Sequence, residues 1–210
     1  MRGRFISLEG GEGAGKTTLI QRLQAHLEGK GLEVIITREP GGTPGAEMLR
    51  EILLTGSTDR WSAITEALLM YAARVDHVER LIQPALERGA WVLSDRFADS
   101  TTAYQGAAGG VSLERIKALH HAALGDFHPD LTLILDLDPL VGLRRTVERG
   151  EDPTRFELHD TDFHARLRQA FLDIANADTQ RCAVLNAENS PDEVLAAALR
   201  EIRTRLDRAA

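Results

Sequence analysis

Three observations predict an α/β fold of three layers, with a five-stranded parallel sheet flanked by helices. Short apolar runs stand at 5–8, 33–37, 91–94, 131–137 and 182–185, each bounded by turn residues. Helical patterns fill the stretches between them, and strict alternation of strand and helix is the signature of a parallel sheet. The runs are continuously apolar rather than alternating, so strands covered on both faces are expected.

The helices can be placed from their own signals. Ile64, Leu68, Tyr71, Val75, Val78 and Ile82 recur at spacings of four and three, which predicts one apolar face on a long helix. Asp138 followed by Pro139 reads as an N-cap with proline in the first helical position. Ser190-Pro191-Asp192-Glu193 has the same logic with a capping-box glutamate, and it opens a last helix with Val194, Ala198, Ile202 and Leu206 on one side. The charged stretch 149–157, with Gly150 and Pro153, separates two helical patterns and is expected to form a lid.

With 210 residues, 43% hydrophobic and 27% charged, residues 1–210 are expected to form one soluble domain. The formal net charge of -7 argues against a nucleic-acid polymer or an anionic membrane as partner. A lone cysteine, Cys182 in an apolar run, excludes an internal disulfide and reads as a buried strand residue. No secretory h-region precedes the first apolar run, and no stretch is long enough to span a bilayer. A cytoplasmic location is expected.

The chemistry starts at Gly10-Gly11-Glu12-Gly13-Ala14-Gly15-Lys16-Thr17, followed by Thr18, which fits G-x-x-x-x-G-K-[ST]. The motif follows an apolar run and precedes a helical pattern with Ile20, Leu23 and Leu27, the context that a phosphate-binding loop requires. Glycines let backbone N–H groups turn toward phosphate oxygens, and a helix N-terminus adds its dipole. Lys16 offers a cation to the β- and γ-phosphates of ATP, and Thr17 a hydroxyl to Mg²⁺. No Asn-Lys-x-Asp base-reading motif is present, and the chain is small for a motor or transport ATPase. Small-molecule and nucleoside monophosphate kinases remain.

Further motifs follow the second and third runs. These are Thr37-Arg38-Glu39-Pro40-Gly41-Gly42-Thr43, then Tyr71-Ala72-Ala73-Arg74 on the long helix, then Ser94-Asp95-Arg96-Phe97 with Ser100-Thr101 and Tyr104-Gln105. Ligands of open parallel sheets bind beyond the carboxyl ends of the strands, so these segments are expected to converge on one crevice. Taken alone, Arg74 also reads as a surface arginine with a buried stem, and Gly41-Gly42 as a plain turn.

Together these residues resemble the thymidylate kinase family, in its bacterial branch with an acidic P-loop and a basic lid, and the resemblance runs from Phe5 to the final helix. It implies a P-loop nucleoside monophosphate kinase fold, transfer of phosphoryl from ATP to dTMP with Mg²⁺, and a homodimer. It places the acceptor phosphate on Arg96 and the thymine edge on Arg74 and Thr101, with Ser100 and Gln105 nearby. Tyr104 would crowd the sugar 2′ position, and Arg38, Glu39 and Pro40 would adjoin the acceptor. Asp95 would face the Mg²⁺ shell. Glu9 reads either as a second acidic residue near the metal or as an ordinary strand-end glutamate.

A carboxylate inside a phosphate cradle repels phosphate, and the resemblance has Glu12 facing the acceptor 3′-hydroxyl instead. Arg149, Arg155, Phe156 and Glu157 resemble the lid, whose arginines supply charge to the transferring phosphoryl; as residues alone they also fit a solvated loop. Arg145 would stack on adenine, with Asn186-Ala187 at its edge. One departure stands out. Met70 occupies the place where the family usually stacks a phenylalanine on the thymine, and its sulfur can still meet a ring face. Two rival functions share the phosphate loop: another P-loop kinase of nucleotides or nucleosides, and a P-loop switch or binding module with weak ATPase.

Overall fold

The structure, a computed structural model, describes residues 2–148 and 155–206. Its elements run β1 (Phe5–Glu9), α1 (Lys16–Glu28), β2 (Val34–Arg38), α2 (Pro44–Leu54), α3 (Ala63–His77), α4 (Gln83–Glu87), β3 (Trp91–Asp95), α5 (Ala98–Thr101), α6 (Leu113–Leu124), β4 (Leu131–Asp136), α7 (Pro139–Glu148), α8 (Thr161–Ala177), β5 (Cys182–Asn186) and α9 (Pro191–Arg205). Two π-helical stretches, Val78–Ile82 and Thr102–Ala108, extend α3 and α5. The five strands are all parallel, in the order β2-β3-β1-β4-β5.

β1 lies at the centre, and its side chains alternate between two layers. Ile6 and Leu8 pack with Leu19, Ile20 and Leu23 of α1 and with Ala198 and Ile202 of α9. On the other side Phe5 meets the edge of Phe97 at 4.9 Å and stacks on Phe127 at 5.8 Å. Ser7 shares a buried 2.9 Å hydrogen bond with Thr132, so the polar positions in the middle of the sheet satisfy each other. Predicted caps are in place. Leu140 N–H donates to Asp138 at 2.8 Å, and Ser190 with Glu193 forms the capping box.

Two expectations need correction. The edge strands are not covered on both faces, since Ile36 of β2 and Val184 of β5 are exposed; each strand has a neighbour on one side only, and the flanking helices cover the sheet's middle. The buried face of α3 runs through Glu66, Ala67, Met70, Tyr71, Ala73, Arg74 and His77, whereas Leu68 is 52% exposed. Counting only apolar residues misplaces the face, because α3 turns charged side chains inward. The π turn then adds a residue to the helical period, bringing Val78 and Ile82 into a core with Phe5 and Val92.

Register positions the loops that leave the strands. Leu8 pairs with Asp95, and Arg38 pairs with Asp95 from the other side, so the segments leaving β1, β2 and β3 emerge side by side. Arg96 N–H donates to Leu8 O at 2.9 Å and Glu39 N–H to Asp95 O at 2.9 Å, which continues the ladder into the loops. The glycine loop after β1 also touches α7 backbone to backbone. A Cβ on Gly13 would lie 2.2 Å from Gly142 O, and a Cβ on Gly142 would lie 2.3 Å from Glu12 O.

No flexible side chain stands at that contact, so nothing can move aside. Gly142→Ala is therefore expected to lower unfolding stability by about 1–3 kcal/mol through overpacking, and to weaken ATP binding as the loop is displaced. Denaturant unfolding and ATP titration of the variant check both. Cys182 is buried, and burial together with Asp99 pushes its thiol up to about 12. Alkylating reagents at neutral pH are expected to leave it unmodified until the chain is unfolded, which mass spectrometry reads directly.

Candidate active site

One crevice of about 680 Å³ opens at the carboxyl ends of β1, β2 and β3. Its floor is the glycine loop. Gly13 and Gly15 have positive φ, 66° and 92°, which turns the chain into the N-terminus of α1. Glu12, Gly13, Ala14, Gly15, Lys16, Thr17 and Thr18 all line the crevice. Gly10 and Gly11 stand behind it, and their carbonyls accept from Lys16 Nζ at 3.2 and 2.9 Å. Burial, reinforced by the positive charge of Arg96, lowers the Lys16 ammonium to about 8. It is held poised among carbonyl oxygens rather than neutralised by a close carboxylate.

Arg96 ties this floor to the next wall. Its φ of 71° is left-handed, which no other described non-glycine residue adopts, and such a conformation costs about 1–3 kcal/mol. The strain turns its guanidinium back across β1. Nη1 donates to Gly10 O at 3.0 Å and to Ser100 Oγ at 3.2 Å, while Nη2 lies 3.3 Å from Glu12 Oε1. Tyr104 donates its hydroxyl to the same Glu12 oxygen, and its ring lies under Arg96 at 5.0 Å. His164 of α8 approaches from behind, Nδ1 at 3.6 Å from Glu12 Oε2. Burial alone would raise the Glu12 carboxyl, but His164, Arg96, Lys16 and Tyr104 outweigh it and bring it down to about 2. Glu12 is thus an anion that cancels part of the positive field of Arg96 and Lys16.

The second wall is built from β2 and the loop after it, α3, the end of β3, and α5 with its π extension. Arg38, Glu39, Pro40, Met70, Arg74, Asp95, Ser100, Thr101, Tyr104 and Gln105 line it, as the motifs lead one to expect. The Glu39-Pro40 peptide bond is cis. Arg74 is 2% exposed; Nε donates to Glu39 Oε2 at 2.7 Å and Nη2 to Thr101 Oγ1 at 3.0 Å. The opposite end of the crevice is lined by Arg145, whose Nη1 reaches Gly13 O at 3.4 Å, and by Ala187, Asn189 and Pro191 beyond β5. Asn186 uses its side chain to accept from Glu188 N–H.

Three expectations fare differently. Glu9 is fully buried and absent from the crevice lining. It accepts from Phe97 N–H at 2.7 Å and Ser100 Oγ at 2.5 Å, and burial with Asp99 raises its carboxyl to about 8. Both its oxygens are engaged in bracing the loop after β3, and Glu9 does not line the crevice. Arg155 pairs with the buried Glu66 of α3, which also accepts from Gln105 at 2.6 Å, instead of reaching the glycine loop. Arg149 lies outside the described residues.

The sequence reading missed Arg50, which lines the same wall and donates to Pro40 O at 2.8 Å. Its signal lay in Thr43-Pro44, a cap that starts α2 at the crevice edge and puts Arg50 within its second turn. His164 and Gly142 had no local signal, because their partners are distant in sequence.

A glycine loop at a helix N-terminus, facing a second wall of arginines across one crevice, defines a P-loop phosphotransferase of the nucleotide kinase class. Comparison with known proteins agrees. A family model described as thymidylate kinase matches residues 8–198. The thymidylate kinase of Caulobacter vibrioides is 56% identical over 196 residues, covering 93% of this chain and 94% of that protein. That of Afipia carboxidovorans is 54% identical, over 89% of this chain and 82% of its own. A crystal structure of thymidylate kinase from Ehrlichia chaffeensis superimposes with a TM-score of 0.79 at 30% identity, covering 96% of this chain and all of that one. The chain belongs to the thymidylate kinase family.

The surroundings of Glu12 generate a pH prediction. A carboxyl held at about 2 when folded, against the ordinary value of 4.5, stabilises the fold fully above pH 4.5, and loses that contribution as pH falls toward 2. Glu12→Gln is expected to be less stable than the parent by about 1–3 kcal/mol at pH 7, with the gap closing between pH 4.5 and 2. Urea unfolding of both proteins across that range measures it, and a pH-independent gap would contradict the assignment.

Proposed function

We propose that the protein transfers the γ-phosphoryl of ATP to dTMP, giving dTDP and ADP on the route to dTTP. The observation that carries this is the pairing of a phosphate loop with a second cationic wall, Arg38, Arg50, Arg74 and Arg96, on one crevice. A switch or plain ATPase needs only the loop. The buried Arg74–Thr101 contact suits a planar base edge on that wall, and Met70 lies beside it. Residues 1–210 act as one domain, with 149–157 as its lid.

In the proposed reaction a dTMP phosphate oxygen attacks the γ-phosphorus in line, and the bond to the β-bridging oxygen of ADP breaks. The acceptor is already an oxyanion, so no strong general base is required. Catalysis is positioning and charge stabilisation. Lys16 leaves the Gly10 and Gly11 carbonyls to meet the β- and γ-phosphates, and Arg96 with Arg50 holds the acceptor phosphate. Mg²⁺ on the ATP phosphates would neutralise developing charge there. The Thr17 hydroxyl and the Asp95 carboxylate, both lining the crevice, fit its shell, since Mg²⁺ binds mostly to substrate phosphates and water and takes few protein carboxylates. Lid arginines 149 and 155 would add charge in the transition state, Arg155 by exchanging Glu66 for phosphate.

Two coarser proposals accompany this. Met48 and Ile52, one turn apart on α2, are exposed with Leu68 of the adjoining α3, an apolar surface that supports a homodimer. A cytoplasmic enzyme is the second proposal; its net charge of -7 speaks against binding a nucleic-acid polymer, and no described helix is long and apolar enough to cross a membrane.

ADP formation across a panel of nucleoside monophosphates tests the reading. dTMP is expected to stimulate it most, and phosphate release without any acceptor would favour a switch. Lys16→Ala is expected to lower kcat by about 10²–10³-fold in a folded protein, the usual loss when one preorganised charge contact is removed. Arg50→Ala is expected to raise KM for dTMP by roughly tenfold and to spare KM for ATP, consistent with loss of one charge-assisted hydrogen bond.

A further inference from the structure

Behind Arg74 lies a buried chain of polar groups that touches no part of the crevice floor. Glu39 divides its carboxylate. Oε2 accepts from Arg74 Nε at 2.7 Å, and Oε1 meets His77 Nδ1 at 3.0 Å. His77 is fully buried, and its Nε2 lies 2.6 Å from Thr37 Oγ1. A carboxylate only accepts, so Nδ1 is the donor to Glu39, and Nε2 shares its hydrogen bond with the Thr37 hydroxyl. Every link in the chain thereby has a partner. Gly42 lies flat against the last link. Its φ is 91°, and a Cβ there would fall 2.5 Å from both His77 Nε2 and Thr37 Oγ1.

The chain determines which donors Arg74 has left. Of the five N–H groups on a guanidinium, Nε serves Glu39, and Nη2 serves Phe97 O at 3.2 Å and Thr101 at 3.0 Å. Nη1 is buried with no hydrogen-bond partner among the described residues. The faces of the guanidinium are closed by the rings of Tyr71 at 4.5 Å and Phe97 at 5.3 Å. A carboxylate beside an arginine prefers a two-point contact. Were Glu39 free to turn, it would take both Nε and Nη2, pull Nη2 from Thr101, and rotate Nη1 away. His77 prevents this by holding Oε1.

We propose that His77, backed by Thr37, is a positioning residue for base selection: it holds Glu39 to a single contact with Arg74 and so leaves Nη1 without a protein partner, for the acceptor base to engage. This rests on the reading of Arg74 as the base-edge contact. Nη1 carries donors only, so it selects a carbonyl edge, as in thymine, and rejects an amino group in the same place, as in cytosine.

Two substitutions separate the halves of the imidazole. In His77→Asn the amide nitrogen falls where Nδ1 was and still donates to Glu39. In His77→Gln it falls where Nε2 was, and Glu39 loses its partner. His77→Gln is expected to raise KM for dTMP by roughly tenfold and to narrow the preference for dTMP over dCMP by a similar factor, with KM for ATP unchanged. His77→Asn is expected to recover most of both. Thr37→Val, which removes only the hydroxyl, is expected to weaken the preference in the same direction, and it serves if His77→Gln folds poorly. Equal effects of the two His77 substitutions, or a rise in KM for ATP alongside that for dTMP, would show a merely structural histidine and overturn the proposal. Arg74→Ala separates the relay from the contact it serves. If it alters the dTMP/dCMP ratio and His77→Gln does not, the relay is wrong; if it leaves the ratio unchanged, the base-site reading falls and the relay with it.

Discussion

Like charges repel, and the crevice brings Lys16, Arg38, Arg50, Arg74 and Arg96 to one cleft of an acidic chain. The rest of the arrangement stems from the need to hold these cations together without quenching them. Each arginine has a counterweight of its own: Glu12 for Arg96, Glu39 for Arg74, Glu47 for Arg38, and the Pro40 carbonyl for Arg50. Lys16 has carbonyl oxygens alone at hydrogen-bond distance. The carboxylates are themselves restrained from behind, Glu12 by Tyr104 and His164, Glu39 by His77, and Glu47 by the Gly42 N–H. Every cation of the cleft thus has an oxygen partner supplied by the fold itself.

Most of the fold was legible in the sequence because each strand is short, apolar and bracketed by turn chemistry, and because the caps at Asp138 and Ser190 are local signals. All five strands fall within a residue or so of the runs that predict them. What hydropathy missed was α3. It carries its functional face as Glu66, Arg74 and His77, polar residues buried by pairing, and it ends in a π turn that no local pattern announces. The Ile64–Leu68 stripe was misread for the same reason. Apolar residues mark a buried face only when nothing charged has a partner waiting there.

In the site, the residues carried by contiguous motifs mostly come to line one crevice: Glu12 to Thr18 of the glycine loop, Arg38 to Pro40 after β2, Asp95 to Gln105 in part, and Arg74. Arg50, His164 and Gly142 escaped; Arg50 had a local signal in the Thr43-Pro44 cap, whereas the other two, like the partners of Glu9, depend on distant segments. Their positions are set by contacts across the fold, Glu9 with Phe97 and Ser100, His164 with Glu12, Gly142 with the loop at Gly13.

The touching backbones of Gly13 and Gly142 have a consequence for how such a chain can change over generations. Most core contacts drift by exchange, a larger side chain on one side offset by a smaller one opposite. Here neither partner has anything to give up. Both positions already hold the smallest residue available, and at Gly13 the positive φ removes the remaining freedom. The pair is an evolutionary dead end in the literal sense, closed to compensation. Divergence is left to the flanks of α7, whose outward Leu140 and Val147 touch little and are free to vary while the helix keeps its seat on the loop.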